Sequence, residues 1–261
     1  MKKTLLTWIL GVLTICLATP LSAQVSFGDA RKFNDGWLFR LEDDSAFKQN
    51  VYDDAEWRKL DLPHDWSIEG QISPGLASCT GYLPGGIGWY RKHFSVKDKA
   101  ARHYIYFEGV YNRSEVYLNG HLLGKRPNGY ISFMYDLTPY LKKEGDNVLA
   151  VRVDHSRSAD SRWYTGSGIY RDVWMVSAGD VHFAQWGIGW HATSLTDRRA
   201  TIAVDVEVQK HVDASRKLEV KASLFDAEGE EVAKASRKIA DGKVGLTQQT
   251  LTLRVNSPKR W

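Results

Sequence analysis

Cysteine is nearly absent from this sequence, with Cys16 and Cys79 the only two in 261 residues. Cys16 lies in an N-terminal apolar stretch that reads as a cleaved leader. Cys79 is then alone, which excludes an internal disulfide framework in the mature chain. No Cys/His cluster has the spacing of a metal site, so neither a metal nor another cofactor is expected. An excess of one charge is lacking too. Lys and Arg number 35 against 31 Asp and Glu, a balance of +4, and losing Lys2 and Lys3 with the leader makes it 33 − 31 = +2. No basic run marks a nucleic-acid partner. Outside Leu5 to Ala18 there is no long apolar segment, so no membrane attachment is expected once the leader has gone. Long helical periods, internal repeats and low-complexity stretches are also missing.

The leader is legible in its parts. Lys2 and Lys3 supply positive charge, Leu5 to Ala18 is apolar but too short to span a bilayer, and Pro20-Leu21-Ser22-Ala23 offers a cleavage site. Residues 1–23 therefore read as a signal peptide, and the mature protein as periplasmic or secreted. A second reading makes Cys16 a lipidation site, although Ile15 before it fits that pattern poorly.

What the sequence does contain is strand periodicity. Ile202, Val204, Val206 and Val208 alternate with Thr201, Ala203, Asp205 and Glu207. Leu218, Val220, Ala222 and Leu224 do the same against Glu219, Lys221 and Ser223, and Leu251, Leu253 and Val255 against Thr252 and Arg254. Each is a half-buried strand with one wet face. Tyr104 to Glu108, Glu115 to Leu118 and Val148 to Val153 read as strands as well. Asn119-Gly120 is a two-residue hairpin signal, because a type I′ turn needs φ > 0 at both central residues. Asp226 to Gly229 reads as a turn, and Leu137 to Leu141 as one short helical turn. The style of the sequence changes near Ser177-Ala178-Gly179-Asp180. Long aromatic and Gly-rich loops precede this point; evenly spaced strands with short turns follow it. The expected fold is all-β: a jelly-roll-like sandwich over 24–179, then an immunoglobulin-like sandwich over 180–261.

Aromatics make up 12% of the chain, with 10 Trp. They suit either a sandwich core or a sugar platform. The run from Ser161 to Trp174, Ser-Arg-Trp-Tyr-Thr-Gly-Ser-Gly-Ile-Tyr-Arg-Asp-Val-Trp, favours the second use. It mixes aromatic faces that cover the C–H side of a pyranose with polar groups that read its hydroxyls. A second Gly-rich stretch, Thr80 to Arg91, is no phosphate cradle, since neither Lys-Ser/Thr nor a helix follows.

This run closely resembles the one that ends the N-terminal sugar-binding domain of family 2 glycoside hydrolases, the β-galactosidase group. Leu62-Pro63-His64-Asp65-Trp66 and Val116-Tyr117-Leu118-Asn119-Gly120 are similar to two further motifs of that family, in the same order. The resemblance implies the pair of sandwiches read above, followed in the family by a catalytic (β/α)8 barrel that carries two glutamates. Retaining glycosidases need two carboxyl groups about 5–5.5 Å apart, and no strand–helix alternation here would hold them. The chain is expected to be the N-terminal portion of a secreted, retaining, β-galactosidase-like hydrolase, with no catalytic residue of its own and inactive alone. Its partners would be a β-galactoside or related glycan and the barrel of the same polypeptide. The alternatives are a stand-alone carbohydrate-binding module and an inert fragment. β-Glucuronidase and β-mannosidase relatives share the architecture.

The resemblance also implies site residues. A carboxamide or carboxylate at the position of Asp65 binds the terminal sugar, and an acid there accepts charge-assisted hydrogen bonds from hydroxyls. The competing reading is that Asp65 caps a local turn. The loop of Asp160, Arg162 and Trp163 is the second sugar contact, with Arg162 pairing a neighbouring acid as the alternative. Gly166 and Gly168 read as backbone devices; His64, Arg171 and Asp172 read as structural.

Overall fold

The computed structural model describes residues 25–96, 98–157, 164–213, 218–239 and 243–259. The expected leader, residues 1–23, lies outside them, as do Asp160, Arg162 and Trp163. The architecture is all-β and antiparallel. Ten strands build the first unit: β1 (Asp29–Lys32), β2 (Trp37–Arg40), β3 (Arg58–Leu60), β4 (Gly86–Phe94), β5 (Arg102–Phe107), β6 (Ser114–Leu118), β7 (His121–Arg126), β8 (Phe133–Asp136), β9 (Asn147–His155) and β10 (Val173–Ala178). They form a six-stranded sheet, β3-β2-β4-β9-β6-β7, facing a four-stranded sheet, β1-β10-β5-β8. The non-sequential order is that of a jelly-roll-like sandwich.

The core between the sheets follows from strand alternation. Ile105 and Phe107 of β5 point inward with Phe133 and Val173, against Trp37, Tyr90, Leu118, Leu149 and Val151 of the opposite sheet. Tyr104 and Tyr106 of β5 point outward and pack with Phe27 and Val176. A strand buried on both faces has no polar side to show. β4 is used in the same way. Tyr90 enters the core, while Trp89 packs outside the sheet with Phe47 and Trp57. Arg91 is fully buried there, donating to Asp54 and to the carbonyls of Phe47 and Gln49. It thus fastens the 41–57 segment onto the sheet. β6 and β7 are joined by Asn119-Gly120 with φ of +52° and +84°, the turn that the sequence predicts.

The second unit has β11 (Val181–Leu195), β12 (Arg199–Lys210), β13 (Leu218–Phe225), β14 (Glu231–Ile239) and β15 (Gly245–Asn256). The sheet β11-β12-β15 faces the hairpin β13-β14 in an immunoglobulin-like arrangement. Val206 and Val208 of β12 meet Val220, Ile239 and Leu251 in its core. The two units touch where Phe27 stacks on His182 at 4.2 Å. Tyr104 Oη also lies 2.9 Å from both His182 Nε2 and His211 Nε2.

Candidate sugar site

The two motifs that lie about a hundred residues apart in the sequence are laced together at one end of the first sandwich. His64 N–H donates to the Ile169 carbonyl at 2.8 Å, and Trp66 N–H to the Ser167 carbonyl at 3.1 Å. Gly168 in turn exchanges two 2.9 Å backbone hydrogen bonds with Tyr111. Gly168 needs its φ of +126°, and a Cβ there would lie 2.2 Å from Tyr90 Oη and 2.7 Å from the His64 carbonyl oxygen. Only glycine fits such a backbone position.

Asp65 sits at the junction, half-buried. Its Oδ1 accepts from Ser67 N–H at 2.9 Å and from Ser167 N–H at 2.8 Å. Its Oδ2 accepts a hydrogen bond from the Tyr164 hydroxyl. Burial, with the Asp65 carboxylate beside it, raises the Tyr164 hydroxyl above its ordinary pKa, so it stays a donor. Gly166 leaves room for the carboxylate, since a Cβ there would stand 2.6 Å from Oδ2. The turn-capping role is therefore real, through the Ser67 contact. The same carboxylate also binds a second loop, and Oδ2 keeps acceptor capacity on the half-exposed side.

Beneath Asp65 the floor is closed by a chain of side-chain hydrogen bonds. Ser67 Oγ lies 2.5 Å from Ser167 Oγ and donates to the Pro84 carbonyl; Ser167 Oγ lies 2.6 Å from His155 Nδ1. His64 is structural, with Nδ1 2.7 Å from Tyr90 Oη and Nε2 3.3 Å from Glu69 Oε1. Burial lowers its pKa despite Glu69, so the ring is held neutral near neutral pH. Trp66 is buried on Phe39 and donates Nε1–H to the Gly85 carbonyl. It serves the core here and presents no platform. Arg58 clamps Glu69 bidentately at 2.6 and 2.7 Å. Asp172 pairs with Lys32 at 2.8 Å and accepts from Asn34, the structural use read from the sequence.

The Gly-rich stretch joins the same rim. A Cβ on Gly81 would meet the Tyr164 ring at 3.6 Å, and Tyr82 and Tyr164 are both more than two-fifths exposed. The rim thus carries one carboxylate and two open aromatic faces, the ingredients of pyranose recognition. Of the residues that the sequence singles out as sugar contacts, Asp65 is placed here. Asp160, Arg162 and Trp163 lie outside the described residues. Tyr164, Ser67 and Ser167 escape the sequence reading as partners of Asp65, although Tyr164 and Ser167 lie inside the Ser161–Trp174 run. Among the described residues no three His, Cys, Asp or Glu side chains come together as metal ligands.

Comparison with known proteins bears on the family and the fold. The family model described as glycosyl hydrolases family 2, sugar binding domain, matches residues 31–178, and a second, glycosyl hydrolases family 2, matches 182–261. The chain is 46% identical over 247 residues to the β-galactosidase BoGH2A of Bacteroides ovatus, covering 92% of this chain and 29% of that protein. It is 28% identical over 254 residues to a β-glucuronidase of Formosa agariphila, covering 88% of this chain and 26% of that one. The crystal structure of a β-glycosidase from Bacteroides vulgatus superposes with a TM-score of 0.80 at 40% identity, over 90% of this chain and 30% of that chain. The chain thus spans less than a third of the length of these relatives.

Proposed function

The chain belongs to glycosyl hydrolase family 2, and from that premise we propose that it forms one wall of the sugar pocket of a secreted, retaining β-galactosidase-like enzyme. In this reading the two carboxyl groups that cleave the bond come from polypeptide outside these 261 residues. Asp65 binds hydroxyls of the terminal sugar, with Tyr164 and Tyr82 beside it and the loop of Asp160, Arg162 and Trp163 completing the wall. The observation that carries it is the placement of Asp65 Oδ2. It accepts from the hydroxyl of the exposed Tyr164, while two backbone N–H groups hold Oδ1 of the same carboxylate. Pre-ordered acceptors of this kind bind without a further ordering cost. A neutral sugar is favoured over a uronate. The 46% identity is to a β-galactosidase, and a carboxylate at the rim repels a second carboxylate brought to hydrogen-bonding range.

The test joins the chain to the remaining sequence of the Bacteroides ovatus relative and compares the parent with Asp65→Ala on an aryl β-galactoside. Loss of one charge-assisted contact of about 1.5–3 kcal/mol lowers kcat/KM roughly 10–150-fold. The loss persists when the aglycone is changed, because the contact is to the sugar. An unchanged kcat/KM in folded protein would overturn the role of Asp65. The 261-residue chain alone is expected to turn over no aryl glycoside.

A further inference from the structure

The two units meet through a small closed cluster. Tyr104 of β5 sends its hydroxyl across the joint, where Oη lies 2.9 Å from His182 Nε2 and 2.9 Å from His211 Nε2. Phe27, also of the first unit, lies flat on the His182 ring at 4.2 Å. Tyr104 and Phe27 are both buried. One contact fixes the order of the hydrogens. His182 Nδ1 lies 2.7 Å from the Phe183 carbonyl, which can only accept, so Nδ1 carries a hydrogen. In the neutral ring Nε2 is then bare, and the Tyr104 hydroxyl donates to it. The Tyr104 oxygen is left to accept Nε2–H from His211. The hydrogen bonds run one way, from His211 through Tyr104 to His182.

An added proton breaks this order. On His182 it sets an N–H against the hydroxyl, which can turn to His211 only if that ring moves its own hydrogen to Nδ1. With both rings charged, two N–H groups face one oxygen and the hydroxyl hydrogen loses its acceptor. Two imidazoliums then stand with ring centroids 5.5 Å apart. The phenol gives no relief, because burial pushes its pKa up to about 12. Other charges face the cluster. Arg102, on the same side of β5 as Tyr104, opposes a further cation. Asp180 pairs with Arg102 at 2.8 Å, and Asp136 stands opposite Tyr104 in the β5–β8 register. Burial, Arg102 and His182 outweigh these two carboxylates and hold His211 below its ordinary pKa. Lys210 stands opposite Val181, one residue out of step with His182, and so lies on the other face of the sheet.

We propose that Tyr104, His182 and His211 form an acid-sensitive clasp, which holds the two units together while both rings are neutral and releases the joint when they take up protons. In the released joint both rings titrate freely, near about pH 6.5. Acid therefore favours release, and a rise in pH favours closure. Between pH 7.5 and 5.0 the open-to-closed ratio grows about 30-fold for each histidine that the closed form keeps neutral. Two further contacts across the joint carry no titrating group. Ser26 N–H donates to Gln185 Oε1, and Trp186 N–H to Ser26 Oγ, both at 3.1 Å. They outlast the clasp, so release makes a tethered hinge.

The experiment measures residual dipolar couplings of the weakly aligned 261-residue chain at pH 7.5 and 5.0, with the ring-proton signals of His182 and His211 followed alongside. At pH 7.5 the two units are expected to share one alignment tensor. At pH 5.0 the couplings of each unit still fit its own strands, but the two tensors diverge. The double variant His182→Gln, His211→Gln keeps one tensor at both pH values, because glutamine offers a carbonyl to accept and an amide N–H to donate without titrating. Should that variant already be loose at pH 7.5, the parent decides: the midpoint of release must coincide with the titration of the two rings. One shared tensor in the parent at pH 5.0 overturns the proposal. So does release in the double variant over the same pH range as in the parent, or release out of step with the ring signals. Loss of the strand couplings of both units together overturns it too, since acid would then act on the fold and not on the joint.

Discussion

Replacing Asp65 by alanine tests whether its carboxylate ties two distant loops together. The substitution removes the acceptor for Ser67 N–H at 2.9 Å, for Ser167 N–H at 2.8 Å and for the Tyr164 hydroxyl. The first closes a local turn; the other two cross 102 and 99 residues of sequence. Bonds to a charged acceptor contribute about 1.5–3 kcal/mol each when buried. Asp65 is half-buried, so water recovers part of that, and the expected cost of Asp65→Ala is about 2–4 kcal/mol. At this chain length 1 kcal/mol corresponds to roughly 2–4 °C, so Tm falls by roughly 5–15 °C. Asp65→Asn keeps a carbonyl oxygen at Oδ1 and both backbone donors satisfied, and its loss is held to about 1 kcal/mol. Differential scanning calorimetry of the 261-residue chain with near-ultraviolet circular dichroism reads both. If Asp65→Ala melts within a degree of the parent, the carboxylate is not what joins the loops. A large loss in Asp65→Asn as well would mean that charge, and not the acceptor geometry, carries the effect. The sequence reading set a substrate-binding Asp65 against a turn-capping one. The hydrogen bonds show that one carboxylate can do both jobs, so kinetics must be measured below the melting range of the variant.

Gly168→Ala forces a Cβ to within 2.2 Å of Tyr90 Oη at a φ of +126° and is expected to cost about 2–5 kcal/mol. Gly145→Ala, with φ of +84° in open space, costs only the backbone strain of about 1 kcal/mol; equal chemical-denaturation midpoints for the two would refute the packing argument. His93 lies 2.9 Å from Asp54 and 2.6 Å from Asp146. Burial opposes its charge, but the hydrogen bonds to these two carboxylates outweigh burial and raise its pKa. Its contribution to stability is thus full below about pH 6.5, the unfolded value, and is lost as pH rises through the raised folded value. Tm measured from pH 5.5 to 8.5 in the parent and in His93→Gln should show this fall in the parent alone. Stability that rises over this range only when His93 is present contradicts the sign. Expression in a Gram-negative host should yield exported protein beginning at or near Gln24, and N-terminal sequencing that finds Met1 on exported chains rules out the cleaved leader.

Much of the all-β fold was legible in the sequence because its devices are local. Alternation in β12, β13 and β15 and the Asn119-Gly120 turn are statements about neighbours within a few residues, and the pleat and the φ requirement act on that scale. β14 escaped because its less exposed positions include Ala233 and Ala235, which give little hydrophobic contrast against Lys234 and Lys238. β11 escaped for a different reason. The bulge between Phe183 and Ile188 moves the inward positions from odd to even residue numbers, so no single alternation runs the length of the strand. Family membership was legible as well, in the order of three motifs. What the residues of those motifs do was decided only in three dimensions. Trp66, beside Asp65, is core because β2 brings Phe39 beneath it. Asp65 acquired its rigidity from Ser167 and Tyr164, whose distance along the chain no periodic pattern encodes. A carboxylate's role depends on which donors reach it within about 3 Å, and that set is fixed by the packing of one sheet against another, long after local preferences have settled the strands.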